Sequence, residues 1–264
     1  MESKGNDLKK KETARVYKQQ QIAPGIYDMW ITTTLAERAK PGQFISVYTQ
    51  DKSALLPRPI SICEADERKL RIVFRIAGGG TREFASYKEG DEVEILGLLG
   101  NGFPVDEAMG KRVVLLGGGI GIPPMVELAR ELSKIGALVK VIAGYRDGNL
   151  FLKEDLEKYG EILIATEDGS AGVKGNVLTV MEERGLKADM LMACGPMPML
   201  RAVKRYSEER GIRAWISLEE RMACGVGACL GCVCRTKRTD PHSHVKNARI
   251  CTDGPVFDAA DVDI

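Results

Sequence analysis

Apolar positions follow two different rhythms along the chain. From Ala14 to about Gly102 they come in short β-rich runs: Ala14–Val16, Tyr27–Thr32, Phe44–Tyr48, Ile60–Cys63, Leu70–Arg75 and Glu92–Leu96. Breaks fall at Pro24-Gly25, Pro41-Gly42 and Gly78-Gly79-Gly80, where turn residues interrupt the pattern. Closely spaced strands without a long helical pattern predict a small antiparallel barrel. From Lys111 strands and helices alternate: Val113–Leu116, helical Met125–Ile135, Val139–Ala143, Leu152–Lys158, Ile162–Ala165, Asn176–Arg184, Met190–Ala193 and an amphipathic Met197–Arg210. That βαβ periodicity predicts a parallel sheet with helices on both faces. After Ala214–Leu218 the chain becomes a loop region rich in cysteine and glycine and is expected to stay irregular to its end. The fold class expected is therefore α+β and multi-domain: a barrel over 1–105, an α/β unit over 106–215 and a small C-terminal domain over 216–264.

Composition narrows the function classes. With 264 residues the chain has room for two or three compact units, and 44% hydrophobic with 28% charged residues is ordinary globular usage. The 38 basic side chains nearly cancel the 37 acidic ones, so no global charge argues for nucleic acid or an anionic membrane. The longest apolar stretch, Val113 to Val126, is broken by Gly117, Gly118, Gly119, Gly121, Pro123 and Pro124, and is not read as a membrane span. Residues 1–11 are polar, end in Lys9-Lys10-Lys11 and are expected to form a frayed tail. No signal-peptide pattern opens the chain and four of seven cysteines crowd into Cys224–Cys234, so a reducing cytoplasm is the expected setting.

Those cysteines carry the strongest signal. Cys224-Gly-Val-Gly-Ala-Cys229-Leu-Gly-Cys232, followed by Cys251, reads C-x4-C-x2-C…C, the ligand spacing of a plant-type [2Fe–2S] cluster. Gly225, Gly227 and Gly231 permit the dihedrals that turn backbone N–H groups towards sulfur. A structural zinc knot uses similar ligands, but usually as two C-x2-C-like pairs. Cys234 is an extra thiol, either a small buried residue or a substitute ligand. His242 and His244 are not interleaved with the cysteines as a Rieske centre requires, and Cys63 and Cys194 lie in other segments.

Two further motifs point to nucleotides. Val113–Leu116 runs into Gly117-Gly118-Gly119-Ile120-Gly121-Ile122-Pro123-Pro124 and then a helix, where glycines let a pyrophosphate approach and the helix N-terminus offers free N–H groups. The spacing Gly119-x-Gly121-x-x-Pro124 lacks the usual third glycine, and Pro124 suits a first helical turn. Arg146, just past the second strand, is either a receptor for a 2′-phosphate or a surface charge, which leaves NAD and NADP both open. In the barrel, Pro57-Arg58-Pro59-Ile60-Ser61 offers a guanidinium fork and a hydroxyl for a phosphate-bearing ligand, or simply an exposed arginine after a turn. Gly78-Gly79-Gly80-Thr81 is either a second phosphate contact or a hairpin loop.

Taken together, Arg-Pro-Ile-Ser, Gly-Gly-Gly-Ile-Gly-Ile-Pro, Cys194-Gly195-Pro196 and the C-terminal C-x4-C-x2-C resemble the ferredoxin reductase superfamily and, within it, the electron transfer subunits of class 1B dihydroorotate dehydrogenase. The resemblance extends from Pro41-Gly42-Gln43-Phe44 through Leu99-Gly100-Asn101-Gly102-Phe103 to Cys251. It implies that Arg58, Pro59, Ile60, Ser61, Val73, Phe74, Arg75, Gly80 and Thr81 hold FAD. It also implies that Gly119, Gly121, Cys194, Gly195 and Pro196 face NAD(H), and that Cys224, Cys229, Cys232 and Cys251 bind the iron of a [2Fe–2S] cluster. The partner implied is an FMN-containing dihydroorotate dehydrogenase catalytic subunit in a heterotetramer, with electrons passing between it and NAD in pyrimidine biosynthesis. Flavin is the expected converter, because it exchanges both electron pairs and single electrons. A sister subunit of a ferredoxin–NADP, sulfite or sulfur reductase complex shares the plan, and a zinc-stabilised nucleotide-binding regulator is the reading from another class.

Overall fold

The computed structural model describes residues 10–239 and 244–264; residues 1–9 of the predicted tail, and His242, lie outside them. Six strands, β1 (Lys10–Ala23), β2 (Ile26–Thr32), β3 (Phe44–Val47), β4 (Arg58–Asp66), β5 (Lys69–Arg75) and β6 (Glu92–Leu99), close into an antiparallel barrel in the order β1-β2-β5-β4-β3-β6. Period-two alternation sends Ile45, Val47, Ile62, Leu70, Ile72, Val93 and Ile95 into its interior. Phe44 and Ser46, out of step with Ile45 and Val47, lie on the outer face of β3, and both are buried because later parts of the chain cover them.

Two expectations need correction here. Lys10 and Lys11 are barrel residues, paired with Gly97 and Leu96 of β6, and Lys11 Nζ reaches Glu94 at 3.1 Å. A run of polar outer-face residues disguises β1 as tail, while backbone pairing along β6 supplies what the side chains do not. Gly78–Gly80 is no hairpin loop either: it leads into helix α1 (Gly79–Phe84), whose Phe84 is buried in the barrel core.

The second unit runs β7 (Arg112–Gly118), α2 (Pro123–Lys134), β8 (Leu138–Tyr145), α3 (Lys153–Glu157), β9 (Glu161–Thr166), β10 (Val173–Lys174), α4 (Val177–Glu183), β11 (Met190–Cys194), α5 (Met197–Arg210) and β12 (Arg213–Ser217). Its parallel strands stand in the order β10-β9-β8-β7-β11-β12. Helices α2 and α3 pack Met125, Val126, Leu128 and Leu156 on one face of the sheet, against Val113, Leu115 and Val141. Helices α4 and α5 pack Val180, Met181, Leu200 and Val203 on the other, against Val114, Leu116 and Leu191. The order reverses between β7 and β11, the switch point at whose carboxyl ends nucleotides bind in sheets of this kind.

Beyond Leu218 the chain is not irregular throughout. β13 (Val233–Arg235) and β14 (Asn247–Arg249) form a hairpin, and β15 (Val256–Asp258) joins the sheet antiparallel to β12. Three-residue strands carry too little alternation to be seen in a sequence.

The barrel meets its neighbours along two seams. Towards the sheet, Arg71 of β5 binds Asp28 of β2 at 2.9 Å, Glu64 of β4 at 3.1 Å and Asp155 of α3 at 3.0 Å. Glu127 of α2 accepts the Ala65 N–H at 3.1 Å and pairs with Arg130 at 2.6 Å. Towards the C-terminal segment, Asn101 Nδ2 donates to the carbonyls of Asp253 and Val256, and Asn101 Oδ1 accepts the Val256 N–H. Gly100, at φ +73°, approaches so closely that a Cβ there would stand 2.4 Å from Pro255 Cδ.

Candidate cofactor sites

A cleft of about 310 Å³ opens where the barrel faces the sheet. Its barrel wall consists of Arg58, Pro59, Ile60 and Ser61 of β4, Val73, Phe74 and Arg75 of β5, and Thr81 of α1. These residues, scattered over two strands and a helix, are brought to one surface by the antiparallel pairing. Gly80 serves the cleft indirectly: a Cβ there would lie 2.4 Å from Arg58 Nε, so only glycine lets the guanidinium rest across the start of α1. Arg58 also donates to the Leu56 carbonyl. The Thr81 hydroxyl accepts the Ala77 N–H at 2.8 Å, which holds the turn before the helix. A guanidinium at one end and an apolar floor of Ile60, Val73 and Phe74 suit a ligand with a phosphate and a flat aromatic ring.

The facing wall was missed in the sequence. It comprises Ile120 of the glycine loop and, from the C-terminal part, Ser217, Leu218, Glu219, Glu220, Met222 and Pro255. A signal was present, since Leu218 ends the β12 region and Cys224 follows six positions later, which forces the cysteine loop close to the sheet's edge. Glu219 keeps solvent-exposed surface, yet crowding at the cleft pushes its carboxyl above the usual carboxylate range, with Arg75 pulling the other way.

The two predicted nucleotide turns lie side by side, because Cys194 at the end of β11 pairs with Gly117 at the end of β7. Their backbones touch: a Cβ on Gly121 would stand 2.3 Å from the Cys194 carbonyl oxygen and one on Gly118 would stand 3.1 Å from Pro196 Cδ. Gly119 takes φ +53° and turns the chain into α2, whose first turn holds Pro123 and Pro124. Cys194 is buried, which pushes its thiol well up, the Ser217 hydroxyl opposing and the Glu219 charge reinforcing that shift. It therefore stays a neutral thiol. Arg146 lies exposed just beyond β8, whose Gly144 pairs with Gly118 of the glycine turn.

The predicted iron ligands gather in two close pairs. Cys224 lies beside Cys229 and Cys232 beside Cys251, close enough for Cys229 to shift the Cys224 thiol and Cys232 that of Cys251, and the Cys224 charge also reaches Cys251. Cys224 Sγ accepts the N–H groups of Val226 (3.4 Å), Ala228 (3.3 Å) and Cys229 (3.4 Å), and Cys229 Sγ accepts that of Gly231 (3.4 Å). Gly225 at φ +67°, Gly227 at +86° and Leu230 at +56° produce this inward turn, with Leu230 paying a strain that glycine would avoid. Burial alone would raise the Cys224 thiol, but these N–H groups and Cys229 outweigh it and bring it down to about 6. Cys251 moves the other way, up to about 12, through burial and the neighbouring Cys232 sulfur.

Among the described residues no three cysteine, histidine, aspartate or glutamate side chains cluster tightly enough for a single ion. Four cysteine sulfurs gathered on one loop and its neighbouring turn, with N–H groups turned inward, suit two iron atoms sharing a core. Cys234 sits on β13 opposite Ala248, outside both pairs, and burial pushes its thiol up to about 11.

Comparison with known proteins follows the same divisions. Residues 219–263 match the iron–sulfur cluster binding domain of dihydroorotate dehydrogenase B. A protein of Geobacillus sp. (strain WCH70) named dihydroorotate dehydrogenase B (NAD(+)), electron transfer subunit, is 41% identical over 261 residues, covering 97% of this chain and 99% of its own. The protein of that name from Bacillus cereus (strain AH187) is 42% identical over 262 residues, with 97% and 99% covered. Among solved structures, an NADH-dependent reduced ferredoxin-NADP oxidoreductase described for flavin-based electron bifurcation superposes with a TM-score of 0.85 at 28% identity, over 98% of this chain and 91% of that one. A ferredoxin NADP+ reductase from Neisseria gonorrhoeae with bound FAD and NADP shares the fold, with a TM-score of 0.66 at 18% identity over 80% and 94%.

Proposed function

The chain belongs to the family of dihydroorotate dehydrogenase B electron transfer subunits, and from that premise we propose how its residues divide the work. It passes electrons between NAD and a dihydroorotate dehydrogenase catalytic subunit, through FAD in the cleft and a [2Fe–2S] cluster on the four paired cysteines. The observation that carries this reading is the composition of the cleft: one wall bears Arg-Pro-Ile-Ser, and the other is the segment that leads directly to Cys224.

When bound, flavin supplies the exchange between hydride transfer and single-electron transfer. The chain's part is positioning. Arg58 would hold the flavin's phosphate through charge-assisted hydrogen bonds, and Ser61 would offer its hydroxyl to the ring. Val73, Phe74 and Arg75 form the ring's bed, while Gly80 and Thr81 hold α1 against Arg58. The glycine turn at Gly119 and Gly121 admits the NAD(H) pyrophosphate to the end of α2, and the Cys194-Gly195-Pro196 turn holds a neutral thiol beside it. Val226, Ala228 and Cys229 supply N–H groups that favour thiolate over thiol at Cys224, and Gly231 turns a further N–H onto the Cys229 sulfur. The units are 1–105 for FAD, 106–215 for NAD and 216–264 for the cluster.

The partner carries FMN and the assembly is a heterotetramer in the cytoplasm. A reducing compartment agrees with seven free cysteines. Among the described residues no helix is long and apolar enough to cross a membrane.

Two variants test the assignments. Cys229→Ser is expected to abolish cluster absorbance and leave FAD bound. Arg58→Ala is expected to weaken FAD by about 1.5–3 kcal/mol, roughly tenfold or more in Kd. Normal iron and labile sulfide in the first, or undiminished flavin in the second, overturns the corresponding assignment. Co-purification decides the partner: an FMN protein active on dihydroorotate supports the reading. An iron–sulfur partner would instead favour a sister reductase, the reading that the 0.85 superposition recommends. Zinc without iron or sulfide would mark a regulator.

A further inference from the structure

Ser46 is the one buried hydroxyl among the described residues that has no hydrogen-bond partner. It is 1% exposed, so it cannot turn to bulk water. Such a group destabilises the fold if nothing ever satisfies it, and native cores rarely keep one without a reason.

Its position supplies the reason. Ser46 lies on the outer face of β3, and a Cβ built on Gly225 would stand 3.3 Å from Ser46 Oγ and 3.2 Å from Leu99 Cδ1. The hydroxyl therefore presses on the cysteine loop immediately after Cys224. The other polar groups turned into this loop are all donors: the N–H groups of Val226, Ala228, Cys229 and Gly231 end on sulfur. No cysteine sulfur accepts from Ser46 Oγ as the loop stands, so the acceptor left for this donor is a sulfide of the cluster itself. Gly225 is what admits it, since any side chain there would lie between the hydroxyl and the loop.

We propose that Ser46 donates its O–H to a sulfur of the [2Fe–2S] cluster, as a donor contributed by the flavin-binding barrel, and so raises the cluster's reduction potential. The inference rests on the cluster reading above. A donated hydrogen bond stabilises negative charge on sulfur, and the reduced cluster carries one more electron, so the bond is stronger after reduction. The same strand face carries Phe44 at the flavin cleft, two positions and about 7 Å of backbone away. One short strand thus contacts both redox sites, and Ser46 biases the electron between them.

The experiment compares wild type, Ser46→Ala and Ser46→Thr as full chains purified anaerobically with their partner. Midpoint potentials are measured by paramagnetic resonance titration, and exchangeable protons near the reduced cluster by double resonance in H2O and D2O. The alanine variant should show a negative shift of the cluster potential and lose one strongly coupled exchangeable proton, with FAD content unchanged; threonine should retain the proton. The metal-free alanine variant should melt no lower than metal-free wild type, because it has lost only an unsatisfied group, and this shows that the variant folds. An alanine variant with wild-type potential and wild-type proton couplings overturns the inference and leaves the cluster assignment standing. Wild-type protein with neither labile sulfide nor a paramagnetic signal overturns the cluster assignment itself, and this inference with it.

Discussion

The barrel is joined to the sheet and to the cysteine segment by opposite means. On the sheet side, Arg71 sits among Asp28, Glu64 and Asp155, while Glu127 and Arg130 extend the lattice along α2. On the cysteine side, Asn101 closes backbone hydrogen bonds to residues 253–256, and Phe44 and Leu99 pack with Cys232, Ile250 and Cys251 in one apolar cluster. A buried charge lattice is intolerant of losing a member and responds to pH. An apolar seam around cysteines depends instead on what those cysteines bind. The two seams should therefore fail under different insults.

The largest expected effect comes from removing the fourth cysteine. Cys251→Ser should eliminate cluster absorbance and loosen the cysteine segment, seen as faster amide exchange over 219–255, while exchange at the Arg71 lattice stays as in wild type. Equal loosening of both seams would erase the distinction. Next, Arg71→Met should cost about 3–5 kcal/mol in chemical denaturation, since it leaves Asp28 buried without its partner, and iron content per folded chain should not change. Asn101→Ala should cost about 2–3 kcal/mol, because one side chain closes three hydrogen bonds to the cysteine segment. Its loss should appear as slower cluster reconstitution rather than as weaker FAD binding.

The smallest effect is a pH dependence. Burial pushes the Glu127 carboxyl up to about 6 from an ordinary 4.5, against the pull of Arg130 and the Ala65 N–H. Between those values the folded chain retains a proton that the unfolded chain has released. Stability should accordingly fall as pH rises through that window, by no more than about 2 kcal/mol, and level off above it. Glu127→Gln should flatten that portion of the pH–stability curve, while the cysteine seam keeps its own response.

Much of this was readable from residues. The β-rich runs and the βαβ rhythm located the barrel strands and the parallel sheet, because apolar alternation is strong wherever one face is buried. The spacing of Cys224, Cys229 and Cys232 named its chemistry because few loops require it. Three things stayed hidden. Of the long, mostly polar strand Lys10–Ala23 only Ala14–Val16 showed as a β-rich run, and the rest is held by pairing rather than by its own pattern. The hairpin and β15 are too short for periodicity. The cleft's second wall, Ser217 to Met222 with Pro255, arises only from where β12 ends in space. Ser46 was equally invisible, since a serine in a strand says nothing of its neighbours until the loop that covers it is known.

The return of β15 to the edge of the sheet has a consequence for maturation. The stretch from Leu218 to Val256 is a closed handle, fastened at one end by β12 and at the other by β15. Its ends need not search for each other, so little entropy opposes its re-formation after opening. Iron delivery would then meet a segment tethered at both ends even while it is loose between them, and a protease cutting the metal-free handle near Arg235 would nick the protein without releasing its last strand.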